Sequence, residues 1–424
     1  MTEKNKSYKE VLHHLFRIEF AKMTAVLCRR FGLNYIEIAE DIVSETFLKA
    51  MKVWRIKGLP ENPTAWLYAV AKNKTKDYFK RLTVFETKIK DGINHEQFLN
   101  AKPSEQDEPG IDFTQQTIAD SQLAMIFAVC DPINSEEAQI CLALQILCGF
   151  SIEEIAEAFL AKKETIKKRL QRARINLRKS NFQIDTLQKS AIQSRLDTVL
   201  RTLYLMFNEG YFSNSNNKLI RKDLCLEAIR LTLLLTENPL TNTNETNALL
   251  ALMCFQSSRF DARVNNVGDT VVFEQQNKNL WDNELIEKGN YYLVNAFSGS
   301  EISKYHLEAG IAYWHTTSDE NKWDHILQLY NQLIIIEYSP VTALNRAFAF
   351  AKVYGNVPAI KEAEKLNLVE NYYYHSLLGY LYADTNADKA ITHYKKAISL
   401  IKSISEKKIL LKEIERLKKR KNIS

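Results

Sequence analysis

Two short segments of this 424-residue chain concentrate side chains that bind nucleic acid. In the first, residues 162–184 carry nine basic side chains and one acidic side chain, whereas residues 119–161 carry seven acidic side chains and no basic one. Apolar residues recur three or four positions apart at Ile166, Leu170, Ala173 and Leu177, which predicts a helix with one packed stripe. Cations and polar groups on the remaining surface suit phosphate oxygens and base edges of a duplex. The candidate duplex-binding residues are Lys163, Thr165, Lys167, Lys168, Arg169, Gln171, Arg172 and Arg174.

A short helix is predicted just before this basic helix. Ser151 and Glu154 have the S-x-x-E spacing of a capping box, which favours a helix over 152–159. A turn at 160–162 then leads into the basic helix, predicted over 163–179. A short helix, a tight turn and a longer basic helix are typical of a helix-turn-helix. This context favours DNA binding over the alternative, a charged face that is only solvated.

The second segment, 64–82, interleaves aromatic and basic residues on a predicted helix that follows a Gly-Leu-Pro turn at 58–60. Aromatic rings stack on unpaired bases and cations hold the backbone, so this composition indicates single-strand binding. The alternative is an amphipathic helix in which Trp66 and Tyr68 are buried. The candidate single-strand residues are Asn62, Trp66, Lys72, Asn73, Lys76, Asp77, Tyr78 and Arg81.

A third predicted helix, 39–54, has an acidic side formed by Glu40, Asp41 and Glu45. The pattern alone indicates an ordinary core helix with a solvated acidic face.

A polar cluster in the C-terminal half has two interpretations, a ligand or partner pocket and a set of salt bridges between helices, of which the second is favoured. Its members are Asn208, Glu209, Arg221, Asp223, Glu227 and Arg230, and Arg259, Asp261 and Arg263 follow further along the chain. An enzyme that uses Glu209, Asp223 and Glu227 is a rival hypothesis, but no nucleophile–base pair accompanies them. Neither a glycine-rich phosphate loop nor a CxxC pair is present, so we expect no catalytic site, cofactor or metal.

Composition predicts an all-α fold. The chain is 46% hydrophobic and 25% charged, with only 12 Gly and 8 Pro, the residues on which hairpins and tight turns depend. Six Cys exclude a disulfide scaffold. The absence of a long apolar run or signal core predicts a cytoplasmic protein without a membrane partner.

Three motifs, in order, resemble those of an extracytoplasmic-function sigma factor of bacterial RNA polymerase. They are AEDIVSETFLKA at 39–50, the segment 62–78 that begins NPTAWLYAVAKN, and the segment 149–174 that begins GFSIEEIA. The resemblance implies a core-polymerase-binding helix, a −10 recognition and melting segment and a −35 helix-turn-helix, respectively. This chain has Lys162 in the turn of the helix-turn-helix, where one subgroup of these sigma factors often has Pro. The polymerase-binding residues that the resemblance implies are Glu40, Asp41, Glu45, Thr46 and Phe47.

The rest of the chain resembles the long extension of one sigma subgroup, which ends in tetratricopeptide-like helices. LYLMFNEGY at 203–211, RKDLCLEAIR at 221–230 and SPVTALNRA at 339–347 carry this match, and two similar segments recur at a period of about 31 residues. The expected organisation is sigma region 2 at 1–85, an acidic linker at 86–118, sigma region 4 at 119–185 and a helical extension at 186–424.

The resulting hypothesis is a non-enzymatic alternative sigma factor whose partners are core RNA polymerase and promoter DNA. The extension is expected to set its activity, and a regulatory protein bound by the extension is a further expected partner. The alternative hypothesis is a one-component helix-turn-helix regulator with a ligand- or partner-sensing helical domain.

Overall fold

All regular secondary structure in the described part of the chain is helical, which confirms the predicted all-α class. The structure, a computed structural model, describes residues 3–90, 111–179, 182, 184, 189–211, 221–264, 271, 273–401 and 404–421. Most of the predicted acidic linker, residues 91–110, lies outside these residues. The chain divides into two compact units, Met1–Thr202 and Leu203–Ser424. No helix among the described residues is long and apolar enough to cross a membrane.

Three long helices begin the first unit: α1 (Glu3–Phe31), α2 (Ile36–Lys57) and α3 (Pro63–Lys90). Helix α2 packs between the other two, and Met23, Leu27, Trp54 and Leu67 are buried in the shared core. Asn62 begins α3, because its side-chain oxygen accepts a hydrogen bond from the Ala65 amide at 3.0 Å.

Four helices complete the second half of this unit. They are α4 (Gln115–Val129), α5 (Glu136–Leu142), α6 (Ile152–Ala158) and α7 (Lys163–Lys179), and a π-helical segment, Ala143–Leu147, continues α5. The capping box of Ser151 and Glu154 is present at the start of α6, as the sequence predicts. The turn before α7 contains no glycine, and Leu160 adopts the left-handed conformation there, with φ of 49°. The bounds of α6 and α7 agree with the predicted helix-turn-helix to within one residue.

Helix α8 (Lys189–Tyr211) runs across the division between the two units. Its N-terminal part belongs to the first unit, where Arg195 binds the buried Asp131 at 2.9 Å and the Thr202 hydroxyl donates to Gln139 at 2.8 Å. The extension was predicted to begin at residue 186, so the structural division lies later in the chain.

The second unit is an array in which consecutive helices pack on one another. Its helices are α9 (Lys222–Thr236), α10 (Asn244–Ser257), α11 (Asn283–Ala296), α12 (Lys304–Thr316), α13 (Lys322–Ile336), α14 (Pro340–Tyr354), α15 (Asn356–Lys365), α16 (Tyr372–Tyr382), α17 (Ala387–Leu400) and α18 (Ile404–Lys421). The two similar sequence segments fall on the pairs α14–α15 and α16–α17. Gly379 permits the close approach of α16 and α17, because a Cβ there would lie 2.5 Å from the Tyr394 ring.

Candidate nucleic-acid and polymerase interface

Helix α7 presents an exposed cationic face opposite its packed stripe. Ile166, Leu170, Ala173 and Leu177 are buried, as the spacing predicts. Thr165, Lys167, Lys168, Gln171 and Arg172 are exposed. Among the described residues, no carboxylate forms an ion pair with Lys167, Lys168 or Arg172. These side chains can therefore bind an external polyanion without first breaking a salt bridge.

The other candidate duplex-binding residues already have intramolecular contacts. Lys163 forms an ion pair with Glu153. Arg169 is half-buried, with Nη1 3.9 Å from the Cys141 sulfur and its guanidinium 5.9 Å from the centre of the Phe159 ring. These contacts position Arg169 along the base of the exposed face.

Arg174 joins α7 to α2 through a bidentate ion pair. Its Nη1 and Nη2 donate to the Glu40 carboxylate at 2.9 and 2.7 Å, and its Nε donates to Gln145 at 3.1 Å. The pair is largely buried, with 14% of the Arg174 side chain and 20% of the Glu40 side chain exposed. Arg178 and Glu37 add an outer ion pair at 3.1 Å between the same helices. A candidate polymerase-binding residue and a candidate −35 residue thus contact each other in this structure.

Helix α2 exposes only part of its candidate set. Asp41 and Glu45 are exposed, and Glu45 forms an ion pair with Lys74 of α3. Thr46 and Phe47 are buried: the Thr46 hydroxyl donates to the Ile42 carbonyl at 2.8 Å, and the Phe47 ring lies 5.1 Å from Phe16. The burial of Thr46 and Phe47 assigns them a packing role in this structure rather than direct contact with a partner.

Two exposed apolar residues lie on α2 outside the set of candidate polymerase-binding residues. Leu48 is 52% exposed and Met51 is 43% exposed. Leu48 follows Asp41 and Glu45 by seven and three residues, so the three side chains lie on one face. Exposed apolar area beside carboxylates is typical of a protein interface. Helical spacing from Asp41 was the signal that could have identified this face.

Helix α3 carries an exposed polar face at helical spacing, formed by Asn73, Lys76, Asp77, Lys80 and Arg81. Lys72 and Tyr78 are partly exposed beside it.

The aromatic residues near the start of α3 are largely engaged in packing. Trp66 makes an edge contact with Trp54 at 5.4 Å, and Tyr68 stacks on Phe113 at 4.7 Å. Trp66 and Tyr68 are half-buried, so the alternative of two buried rings describes this end of the helix only in part, whereas the polar face farther along is exposed.

The polar cluster of the second unit does not converge into one pocket. Arg221 pairs with Asp223 at 2.8 Å, and Arg230 pairs with Glu227 at 2.8 Å, all within α9 or the residue before it. These two pairs are local, whereas Asp261 forms an ion pair with Lys222 of α9 and so joins two separate segments. Burial raises the pKa of Glu209. Asn208 alone of the six lines the large cavity described below.

The described residues contain no group of three or more His, Cys, Asp or Glu side chains that could hold a metal ion. All six cysteines are buried thiols rather than members of a disulfide. Burial raises the pKa of Cys130, Cys225 and Cys254 to about 12, so these thiols remain protonated near neutral pH.

Comparison with known proteins finds two families in the chain. Residues 21–84 match sigma-70 region 2, and residues 195–297 match a family of unknown function (DUF6596). An uncharacterised protein of Rhizobium meliloti (strain 1021) is 30% identical over 388 residues, which cover 90% of this chain and 90% of that protein. A probable RNA polymerase sigma factor of Haemophilus influenzae is 26% identical over 156 residues, which cover 34% of this chain and 77% of that protein. No solved structure matches. The region 2 match contains the exposed faces of α2 and α3.

Proposed function

We propose, since the chain belongs to the same family as the uncharacterised Rhizobium meliloti protein and carries a sigma-70 region 2, that it is an alternative sigma factor of bacterial RNA polymerase. In this proposal it binds core polymerase, recognises −10 and −35 promoter elements and promotes DNA melting. The observation that carries it is that the region 2 match, residues 21–84, contains both the mixed acidic and apolar face of α2 and the polar face of α3. Transcription initiation requires no catalytic group from this chain.

The proposed polymerase contact is the face of α2 that carries Asp41, Glu45, Leu48 and Met51, which we call the α2 face. The carboxylates supply charge complementarity and orientation, and the apolar side chains supply buried area. Thr46 and Phe47, on the buried side of α2, support this face by packing in the core. Glu40 would become available only after its ion pair with Arg174 opens.

The proposed promoter contacts are divided between two helices. On α3, exposed Lys76, Asn73 and Arg81 would hold and read the opened −10 strand, and Tyr78 offers a ring for base stacking. On α7, Lys168 and Arg172 would reach base edges or phosphates of the −35 duplex. Sigma region 4 at 119–185 and the extracytoplasmic-function subgroup belong to this proposal and rest on the helix-turn-helix.

The Arg174–Glu40 ion pair, which joins α7 to α2, limits which candidate residues are accessible to polymerase and DNA. Glu40 and Arg174 can reach polymerase and DNA only when this pair opens, whereas the α2 face and the exposed cations of α7 are accessible while it is intact. We call the arrangement with the pair intact the closed form of the first unit.

The second candidate is a one-component regulator that binds duplex DNA without polymerase. The helix-turn-helix and the cavity of the second unit favour it. It assigns no role to the α2 face or to the region 2 match.

Co-elution with core polymerase and transcription from fragmented genomic DNA distinguish the two candidates. We expect Asp41→Arg to weaken co-elution at least tenfold, because it reverses a charge on the α2 face without touching the core. Asp324→Arg, an exposed carboxylate of α13, is the matched control. Unchanged polymerase binding by Asp41→Arg would refute the α2 contact, and polymerase-independent promoter binding by the full chain would favour the regulator.

A further inference from the structure

The second unit contains a large cavity, about 1190 Å³, that the proposed function does not use. Helices α8, α10, α12, α13 and α14 contribute side chains to its walls, as do α16, α17 and α18. Sites for small organic ligands usually measure roughly 300–1,000 Å³, so the volume admits a ligand of that class with room to spare. Its chemistry differs from end to end.

At one end of the cavity, two guanidinium groups have no carboxylate partner among the described residues. Arg259 donates from Nη2 to the Tyr211 hydroxyl at 3.1 Å, and Arg263 donates from Nη1 to the Tyr211 carbonyl at 3.0 Å. No Asp or Glu of the described residues forms an ion pair with either one. Burial lowers the pKa of Arg263, and the nearby charge of Arg259 lowers it further. Two like charges held together away from water are stabilised by a bound anion.

Polar atoms without a hydrogen-bond partner among the described residues line the same cavity. Nine buried side-chain nitrogen or oxygen atoms of the described residues have no hydrogen-bond partner in the protein, and four of them belong to residues that line this cavity. These four are Arg259 Nε, Gln256 Oε1, Gln276 Oε1 and His315 Nδ1. A buried polar group without a partner costs about 1–3 kcal/mol. Such a concentration beside two cations is typical of a site whose remaining hydrogen bonds come from a ligand.

An aromatic wall continues from this end into the cavity. His315 lies 4.7 Å from the Phe273 ring and 5.5 Å from the Trp323 ring, and Phe348 lies 5.6 Å from Trp323. Burial lowers the pKa of His315 to about 3, with the charges of Arg259 and Lys322 adding to the effect. His315 is therefore neutral near pH 7, and the positive charge of this end comes from the two arginines. The wall suits a flat, apolar ligand body.

Three carboxyl groups line the same cavity. Glu274 forms an ion pair with Lys352 and Glu413 forms one with Arg416, whereas Glu308, farther along α12, has no ion pair among the described residues. Glu308 precedes His315 by seven residues, or about 10 Å of helix. It accepts a hydrogen bond from the Tyr204 hydroxyl at 3.0 Å. The anionic group of a ligand is thus directed to the arginine end, away from Glu308.

We propose that this cavity binds a small aromatic organic anion. Its carboxylate, sulfonate or phosphate group lies against Arg259 and Arg263, and its flat body lies along Phe273 and Trp323. The inference concerns the second unit alone and does not depend on whether the chain acts as a sigma factor.

Fluorescence titration of the full chain with a charged and an uncharged probe tests this site. The anionic probe is 8-anilinonaphthalene-1-sulfonate, and the neutral probe is N-phenyl-1-naphthylamine, which has the same rings without the sulfonate. We expect one saturable site per chain, with at least tenfold tighter binding of the sulfonate. Arg259→Gln should remove that preference while leaving the neutral probe unchanged, and Arg259→Lys should retain part of it.

Arg230→Gln is the matched control, because it removes a guanidinium that pairs with Glu227 and does not line the cavity. Equal affinity for both probes, or equal sulfonate affinity in the Arg259→Gln and Arg230→Gln variants, would overturn the proposal. Circular dichroism checks that each variant is folded. If Arg259→Gln does not fold, the two probes on the unmodified chain and on Arg259→Lys decide.

Discussion

At the scale of single residues, substitution of Arg172 tests directly whether α7 contacts the bases of a −35 duplex. It is exposed and has no ion-pair partner among the described residues, so its loss should not disturb packing. We expect Arg172→Ala to cost about 1–3 kcal/mol of affinity for a cognate −35 duplex if it contacts a base. A phosphate contact would cost less and reduce the salt dependence by about one counterion. Affinity measured at two salt concentrations separates these cases.

The control for Arg172 is Arg201→Ala, which removes an exposed arginine of α8 that pairs with Glu136. Both variants change the net charge equally, so a loss confined to Arg172→Ala reports a local contact. Equal affinities of the two variants at both salt concentrations would show that Arg172 does not contact DNA.

Glu308 gives a prediction for the pH dependence of stability. Burial raises its pKa from 4.5 to about 7, and Tyr204, Lys304, Glu337 and Tyr330 are the titratable groups around it. The folded chain therefore holds this proton more tightly than the unfolded chain. The group's stabilising contribution is complete below pH 4.5, declines as pH rises through 7, and is constant above that value.

Glu308→Gln should remove this pH-dependent loss while keeping an acceptor for the Tyr204 hydroxyl. We expect the difference in unfolding free energy, variant minus unmodified chain, to rise between pH 4.5 and pH 7, by up to roughly 3 kcal/mol. Urea unfolding at pH 5 and pH 8 measures it. A difference that is the same at both pH values would mean that Glu308 titrates normally. The lowered pKa of His315 makes its contribution to stability rise with pH. This contribution is the same in the variant and the unmodified chain, so it cancels in the difference.

The residue scale also shows where helical periodicity is insufficient. Phe47 and Leu48 are adjacent apolar residues of α2, yet Phe47 is buried and Leu48 is 52% exposed. Phe47 is buried because its ring packs against Phe16 and Phe20 of α1. The sequence alone does not show which side of α2 is covered by α1. Candidate residues inferred from a motif therefore include both surface and supporting side chains.

At the scale of elements, the contact between α2 and α7 makes a prediction about closure. The bidentate Glu40–Arg174 pair is largely buried, so its members should be energetically coupled. We expect a double-mutant cycle with Glu40→Gln and Arg174→Gln to give about 1–3 kcal/mol of coupling in the unfolding free energy. We also expect the double variant to bind core polymerase at least as tightly as the unmodified chain, because opening becomes easier.

The outer pair, Glu37 and Arg178, is the comparison for this cycle. It joins the same helices but is more exposed, so its coupling should stay below about 1 kcal/mol. Absence of coupling between Glu40 and Arg174 would contradict a closed first unit in solution.

Helices marked by sequence features within a few residues could be predicted. Boundaries that depend on contacts between residues far apart in sequence could not. The capping box, the acidic-to-basic change and the four-residue apolar stripe predicted α6 and α7 nearly to the residue. The sequence predicts that the helical extension begins at 186, whereas the compact units divide between Thr202 and Leu203. The ion pair of Arg195 with Asp131 joins positions 64 residues apart, and nothing near Arg195 in the sequence indicates it.

At the scale of the whole molecule, the second unit shows what sequence reasoning could not assemble. Arg259 and Arg263 stood out as members of a polar cluster, together with Arg221 and Asp223. The fold separates these pairs: Arg221 and Asp223 neutralise each other locally, whereas the other two face a cavity with Phe273 and His315. Convergence of that kind depends on how helices that are distant in sequence pack together, which the local pattern does not encode.

The last prediction concerns where the chain can be divided. A chain ending at 185 loses Arg195 and Thr202, which leaves the buried Asp131 and Gln139 without these partners, so we expect it to be destabilised by several kcal/mol. A chain ending at 202 keeps both contacts and should fold. If the second unit sets activity, the 1–202 chain should transcribe at a rate several-fold different from the full chain, with similar affinity for a −35 duplex. Multi-round transcription with core polymerase, beside urea unfolding of both truncations, measures this. Equal rates for the 1–202 and full-length chains, with and without cell extract, would show that the second unit has no part in initiation.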